Sequence, residues 1–205
     1  MNLKTSNKFN TQKRIIGLTG GIATGKSTVT NYLAEKYHIP VFDADILSRE
    51  AVQVGSPILE KISHRYSDIL LSDGSLNRVK LGSIIFNNTE ERRWIESQIH
   101  PYVYQRFTEA ISQSSEVTIL LAIPLLFEAN MTDLVTEIWV VYCNFETQIK
   151  RLMERDKLSL EEAQLRINSQ LSLEEKCRKA DHTLDNSSSL ENLLKQIDKL
   201  MISTQ

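Results

Sequence analysis

Several things this sequence lacks narrow its reading from the start. It has only two cysteines in 205 residues, Cys143 and Cys177. Neither belongs to a C-x-x-C pair, so a disulfide framework or a cysteine metal site is unsupported and a reducing, cytoplasmic setting fits best. Both thiols are expected to be inert. No apolar run is long enough to cross a bilayer: the longest, ILLAIPLLF over residues 119–127, is short and broken by Pro124. The opening MNLKTSNKFNTQKR has no apolar core of a secretory signal, and residues 1–13 are expected to be a disordered lead-in. An excess of one charge is missing too. Lys and Arg number 24 and Asp and Glu 26, a net −2, which gives no general attraction to nucleic acid or an anionic membrane. Neither is expected as a partner, and a monomer is expected, with an oligomer left open. Internal repeats and low-complexity tracts are absent.

The rest is an ordinary soluble composition, 41% hydrophobic and 24% charged, long enough for one sizeable core with an insertion. RIIGLT, residues 14–19, is a short β-branched run that meets Gly20-Gly21 at once, which predicts a buried strand ending in a tight loop. Val29, Leu33 and Tyr37 then recur at helical spacing, with Tyr32 beside them. A second strand is expected at PVFDAD, with further strands at 117–123 and 137–143 and a weaker one at 182–185. Strands that are continuously apolar and alternate with helices indicate a parallel sheet covered on both faces. Residues 46–115 are too long for a simple crossover and read as an inserted helical subdomain with a turn at Asp73-Gly74. Residues 145–180 read as a charged helical lid with capping boxes at Ser159–Glu162 and Ser172–Glu175. The nucleotide core would then comprise 14–45, 116–144 and 181–205, all within one domain over 14–205. Its last helix carries Leu190, Leu193, Leu194, Ile197, Leu200 and Met201 at helical spacing and should pack its apolar face on the core.

The most specific motif is GGIATGKS, residues 20–27, a match to G-x-x-x-x-G-K-[ST]. Small residues at Gly21, Ala23, Thr24 and Gly25, with Ile22 between them, let backbone N–H groups converge on phosphate oxygens. The helix that follows presents its positive end to the same anion. Lys26 supplies a cation for the outer phosphates, Ser27 a hydroxyl for Mg²⁺, and Thr28 continues the cradle. At average residue usage a chance match in a chain this long has odds of roughly one in a hundred. The motif means a nucleoside triphosphate and says no more. A GTPase would carry N-K-x-D and a transporter ATPase LSGGQ, and neither occurs.

Asp43 and Asp45 follow the second apolar strand. At strand spacing both would face the same way, and two close carboxylates repel unless a metal or an arginine compensates. In a parallel α/β fold the carboxyl ends of strands gather ligands, so a carboxylate there can take the proton of an attacking hydroxyl and can also hold Mg²⁺ through water. The residues alone do not separate Asp43 from Asp45. Arg151 and Arg155 are i,i+4 neighbours and would share a helix face, suited to the charge that spreads in phosphoryl transfer. His100 precedes Pro101, which biases it toward an extended conformation at a helix boundary. Pro124 should turn the chain after a strand, Glu128 is a site candidate or a loop residue paired with an arginine, and Trp94 and Trp139 are expected to pack in cores.

The chain resembles the dephospho-CoA kinase family. The likeness runs over residues 15–186 and is carried by GLTGGIATGKST, DADILSR, DGSLNR, IHP, PLLFE, KRLMERD and ADHTLDN in that order. It implies the P-loop fold with a five-stranded parallel sheet, an inserted helical CoA-binding domain and a lid. It also implies phosphorylation of the ribose 3′-hydroxyl of dephospho-CoA by ATP with Mg²⁺. It puts the catalytic base at Asp45, and Arg49, His100, Arg151 and Arg155 around the substrates, Arg151 leading for contact with the transferring phosphate. Two positions depart from the family's habit: Ala23 where glycine is usual, tolerable if φ stays negative, and Ser187 where glycine often follows DN. Another small-molecule kinase, or a non-catalytic ATP-binding regulator, remains open as an alternative.

Overall fold

The computed structural model describes residues 13–202; the expected lead-in lies almost wholly outside them. Five strands form one sheet in the order β2-β3-β1-β4-β5. They are β1 (Arg14–Gly20), β2 (Val41–Asp43), β3 (Thr118–Ala122), β4 (Glu137–Tyr142) and β5 (His182–Asp185). β1 pairs in parallel with β3 and with β4, and β4 with β5. Jumping from β1 to a distant parallel partner needs a helical crossover each time, which is why helices cover both faces.

Among the described residues two compact units emerge, one of residues 13–42 and 112–202, the other of residues 43–111. In the first, alternation along the strands sends Ile16 and Leu18 of β1, Leu120 of β3 and Trp139 and Val141 of β4 to one face. There they meet Val29 and Leu33 of helix α1 (Lys26–Tyr37) and Leu193 and Ile197 of the C-terminal helix α9 (Leu190–Ile202). Polar groups tie α1 to α9 as well: the Asp198 carboxylate accepts from Lys36 Nζ, Tyr32 OH and Tyr37 OH, each at 2.8 Å. That bond set fixes the far end of the helix whose near end is the phosphate loop. On the opposite face Gly17 leaves room for Val135, whose Cγ1 would lie 2.8 Å from a Cβ there. Trp139 is fully buried, as expected.

The second unit is helical: α2 (Ala44–Glu50), α3 (Pro57–Arg65), α4 (Arg78–Asn87) and most of α5 (Thr89–Gln113). Its own core contains Val52, Leu59, Ile62, Ile69, Leu76 and Ile95, with Trp94 packed against it. The Asp73-Gly74 turn is present. Gly74 takes φ +79°, Asp73 Oδ1 accepts from the Ser75 amide at 2.9 Å, and Leu70 and Leu76 bridge across it.

Helix α5 runs straight through His100 and Pro101, so His100 is not at a helix boundary. Proline in a helix interior costs about 3 kcal/mol, but α5 buries Ile95 before it and Val103, Phe107 and Ile111 after it. Each such burial contributes about 1.5–3 kcal/mol, so continuing the helix wins.

The remaining helices, α6 (Phe145–Asp156), α7 (Leu160–Asn168) and α8 (Leu173–Lys179), occupy the stretch read as a lid. Ser159 and Glu162 close both arms of a capping box, and Ser172 accepts from the Glu175 amide.

Candidate active site

Residues 20–28 form the loop between β1 and α1. Its glycines answer to specific neighbours. A Cβ on Gly20, at φ +149°, would sit 2.5 Å from Val141 O, and one on Gly25, at φ +102°, would sit 2.2 Å from Asn186 Nδ2. Asn186 follows β5 and donates that amide to Thr24 O at 2.8 Å, while Thr24 Oγ1 donates to Gly21 O at 3.0 Å. Lys26 Nζ reaches back over the loop to Gly21 O at 2.7 Å and Gly20 O at 3.4 Å. Helix α1 starts from Gly25 with no side-chain cap and no acidic residue in its first turn, so its positive end is left for an anion. Ser27 is exposed in that turn.

Ala23 takes φ +59°, so the condition that its φ stay negative is not met. An alanine in the left-handed region is strained by about 1–2 kcal/mol, and such strain persists only where surrounding contacts over-determine the backbone.

A cavity of about 330 Å³ opens beside the α1 end of the loop, lined by Gly25, Thr28, Arg151, Asn186, Ser188 and Leu190. Arg151 projects to it from α6, and its Nη1 is buried with no hydrogen-bond partner among the described residues. Arg151 also lies near Cys143. Burial pushes that thiol up from its ordinary range, with the guanidinium pulling the other way, so Cys143 is a poor nucleophile. Arg155, one turn further, points elsewhere: it makes a bidentate pair with Asp156, which also receives Arg166 Nη1 at 3.0 Å. The hydrogen bonds from Arg155 hold the Asp156 carboxyl below the usual range.

Glu128 is a junction. Its Oε1 accepts from the Leu171 amide at 3.0 Å and pairs with Lys176 Nζ at 2.9 Å. The partner is thus a lysine and not an arginine, and a lysine that is 0% exposed. Lys176 Nζ also donates to Pro124 O at 3.1 Å, which accepts from Thr19 Oγ1 at 3.0 Å.

The acidic pair departs from the expected strand geometry. Asp43 is the last residue of β2 and the N-cap of α2, where its Oδ1 accepts from the Asp45 amide at 2.7 Å. Asp45 is in the first turn of that helix, so strand alternation does not relate the two. An acidic N-cap with a carboxylate in the first turn is favoured by the helix dipole, which offsets the repulsion. Arg49 is exposed in the last turn of α2, and His100 is half-buried in α5. Among the described residues no group of three or more His, Cys, Asp or Glu could hold a metal ion. Magnesium bound with a nucleotide needs no such cage, since phosphates, water and one hydroxyl suffice.

Sequence reasoning passed over Gln148, Gln170, Asn186 and Lys176. Asn186 stands in the ADHTLDN stretch, but nothing in that string says it grips the loop. A buried lysine and two glutamines carry no periodic or motif signal.

A parallel sheet whose central strand runs into a phosphate-binding loop, with a polar anchor from the loop after β5 and a half-buried arginine beside it, defines a P-loop nucleotide-binding protein of the small-kinase type. The fold agrees with that of shikimate kinase from Acinetobacter baumannii, at 19% identity and a TM-score of 0.57. This chain belongs to the dephospho-CoA kinase family, whose pattern matches residues 14–192. It is 65% identical to the dephospho-CoA kinase of Trichormus variabilis over 187 residues, 91% of this chain and 95% of that protein. The Synechocystis enzyme of the same name is 54% identical over 92% of this chain and 94% of its own. Among solved structures, dephospho-CoA kinase from Campylobacter jejuni matches with TM-score 0.66 at 30% identity, covering 94% of this chain and 100% of that one.

Proposed function

We propose that this chain transfers the γ-phosphoryl group of ATP to the ribose 3′-hydroxyl of dephospho-CoA, forming coenzyme A in the cytoplasm as a monomer. The observation that carries the reading is the loop of residues 20–28, locked by Asn186 and Lys26 into a cradle at the uncapped start of α1, in a chain of this family.

The triphosphate lies along Gly21, Ile22, Ala23, Thr24, Gly25, Lys26, Ser27 and Thr28. Lys26 neutralises the outer phosphates. Ser27 would give a hydroxyl to Mg²⁺, which when bound supplies charge neutralisation on the phosphate oxygens. The cavity beside Thr28 takes the nucleoside end of ATP. Arg151, with its unsatisfied Nη1, leads for contact with the transferring phosphate, and Arg155, paired with Asp156, supports it from the next turn of the lid. Asp45 accepts the proton of the 3′-hydroxyl as it attacks, with Asp43, Arg49 and His100 serving the acceptor. A loose transition state leaves the chain mainly positioning and electrostatic work. Glu128 acts on the lid side through Leu171 and Lys176.

The test is ADP release from ATP and Mg²⁺ with and without dephospho-CoA. Release is expected to depend on dephospho-CoA and to fall by about 10²-fold or more in Asp45→Asn. Release that ignores dephospho-CoA, in protein that binds ATP, overturns the substrate; release that survives Asp45→Asn moves the base to Asp43.

A further inference from the structure

Both polar groups of one peptide residue in the phosphate loop are taken by the lid. The Ile22 amide donates to Gln170 Oε1 at 3.0 Å, and the Ile22 carbonyl accepts from Gln148 Nε2 at 2.8 Å. Gln148 is in α6 and Gln170 lies just after α7, so the two ends of the lid's outer pair of helices meet on a single loop residue. Gln148 is only 2% exposed, a buried amide whose donor goes to this carbonyl. Its approach depends on Gly21: a Cβ there would lie 2.5 Å from Gln148 Nε2. That glycine therefore serves the lid as well as the phosphates. The next lid residue is fixed too, since the Leu171 amide donates to Glu128.

The clamped residue stands directly before the strained one. Ala23 holds φ +59° in a stretch where a left-handed alanine needs external restraint. Gln148 on the Ile22 carbonyl fixes the peptide that joins Ile22 to Ala23. The same restraint orients the amides of residues 23–25, the ones a phosphate would use.

We propose that Gln148 and Gln170 are positioning residues for the nucleotide: they clamp the two peptides that flank Ile22, hold the strained phosphate loop in its cradle shape, and register the lid arginines against it. Neither touches the reacting atoms. The inference rests on the ATP-dependent reading above and adds the residues that set the loop's geometry.

The primary variant is Gln170→Leu, which keeps the bulk and removes the acceptor. The loss of one hydrogen bond to a loop that must be ordered for binding is expected to raise the KM for ATP about tenfold. The KM for dephospho-CoA should stay within about twofold, and thermal unfolding within a few degrees. Wild-type protein is assayed first. If it shows no dephospho-CoA-dependent ADP release, the functional reading fails, and the clamp is judged separately by calorimetry of ATP and Mg²⁺ binding. Amide hydrogen exchange at Ile22 in the wild-type chain needs no substitution, so it decides the matter even if Gln170→Leu does not fold. Protection of that amide, lost in the variant, supports the clamp. An Ile22 amide exchanging at the open-chain rate overturns it. So does an ATP KM within twofold of wild type in a folded variant, or an equal rise for both substrates.

Discussion

Removing Glu128 should unsettle the molecule through the charge it leaves behind. Lys176 has no exposed surface, and its ammonium has two acceptors, Glu128 Oε1 at 2.9 Å and Pro124 O at 3.1 Å. Among the described residues only Glu128 pairs with it as an opposite charge. Taking one partner from a buried pair typically costs 3–5 kcal/mol, because the other charge stays behind uncompensated. Glu128 keeps 25% of its side chain exposed, so water can re-enter from its side, and the lower end of that range applies. Glu128→Ala is therefore expected to cost about 3 kcal/mol. For a chain of this size that lowers the melting temperature by about 6–12 °C. The reciprocal change is milder. In Lys176→Met the bulk stays, Glu128 can be solvated and still receives the Leu171 amide, and Pro124 O still has the Thr19 hydroxyl. About 1 kcal/mol is expected there. The double variant should then cost less than the two singles together, since removing Glu128 no longer strands a cation. Thermal and denaturant unfolding of the four proteins measures all of this. Equal costs for the two singles with an additive double would refute the argument, because the penalty would then be packing and not charge.

Three further outcomes are expected. Gly25→Ala places a methyl 2.2 Å from Asn186 Nδ2 at φ +102°, so ATP binding measured by calorimetry should fall by about 10²-fold or more, while Gly82→Ala, with nothing within 4 Å of its Cβ, leaves it unchanged. Ala23→Gly relieves the left-handed strain at the expense of a looser unfolded chain, a net gain of about 0.5–1 kcal/mol, seen as a melting temperature higher by about 1–3 °C. In the helical unit, hydrogen bonds from Arg65, then Tyr66, hold the Glu91 carboxyl down at about 2 from its ordinary 4.5. A depressed carboxylate stabilises above its unfolded pKa and loses that contribution as pH falls through the folded one. Unfolding measured from pH 5 to pH 2 should show a steeper loss in wild type than in Glu91→Gln, and parallel curves would count against the pairing.

The parts of this molecule that the sequence announces are those governed by short-range rules. Alternation and helical spacing locate β1, α1, the later strands and α9, because burial on one face dictates the period. The phosphate loop is legible because backbone approach to an anion demands small residues in a fixed order. Legibility fails where distant groups decide a local conformation. At Asp43 the strand stops because its own side chain caps the next helix, and a carboxylate at strand spacing looks the same whether it continues a strand or starts a helix. Pro101 reads as a breaker, yet burial of Val103, Phe107 and Ile111 keeps the helix going. Ala23 reads as harmless until the contacts of Gln148 and Gln170 on Ile22, from 126 and 148 residues away, show what holds its backbone. Those glutamines have no pattern to betray them. Their meaning arises only when the fold carries both ends of a helical pair back to one residue, Ile22. The motif thus identifies what the loop binds, and the long-range polar contacts determine whether the loop is shaped to bind it.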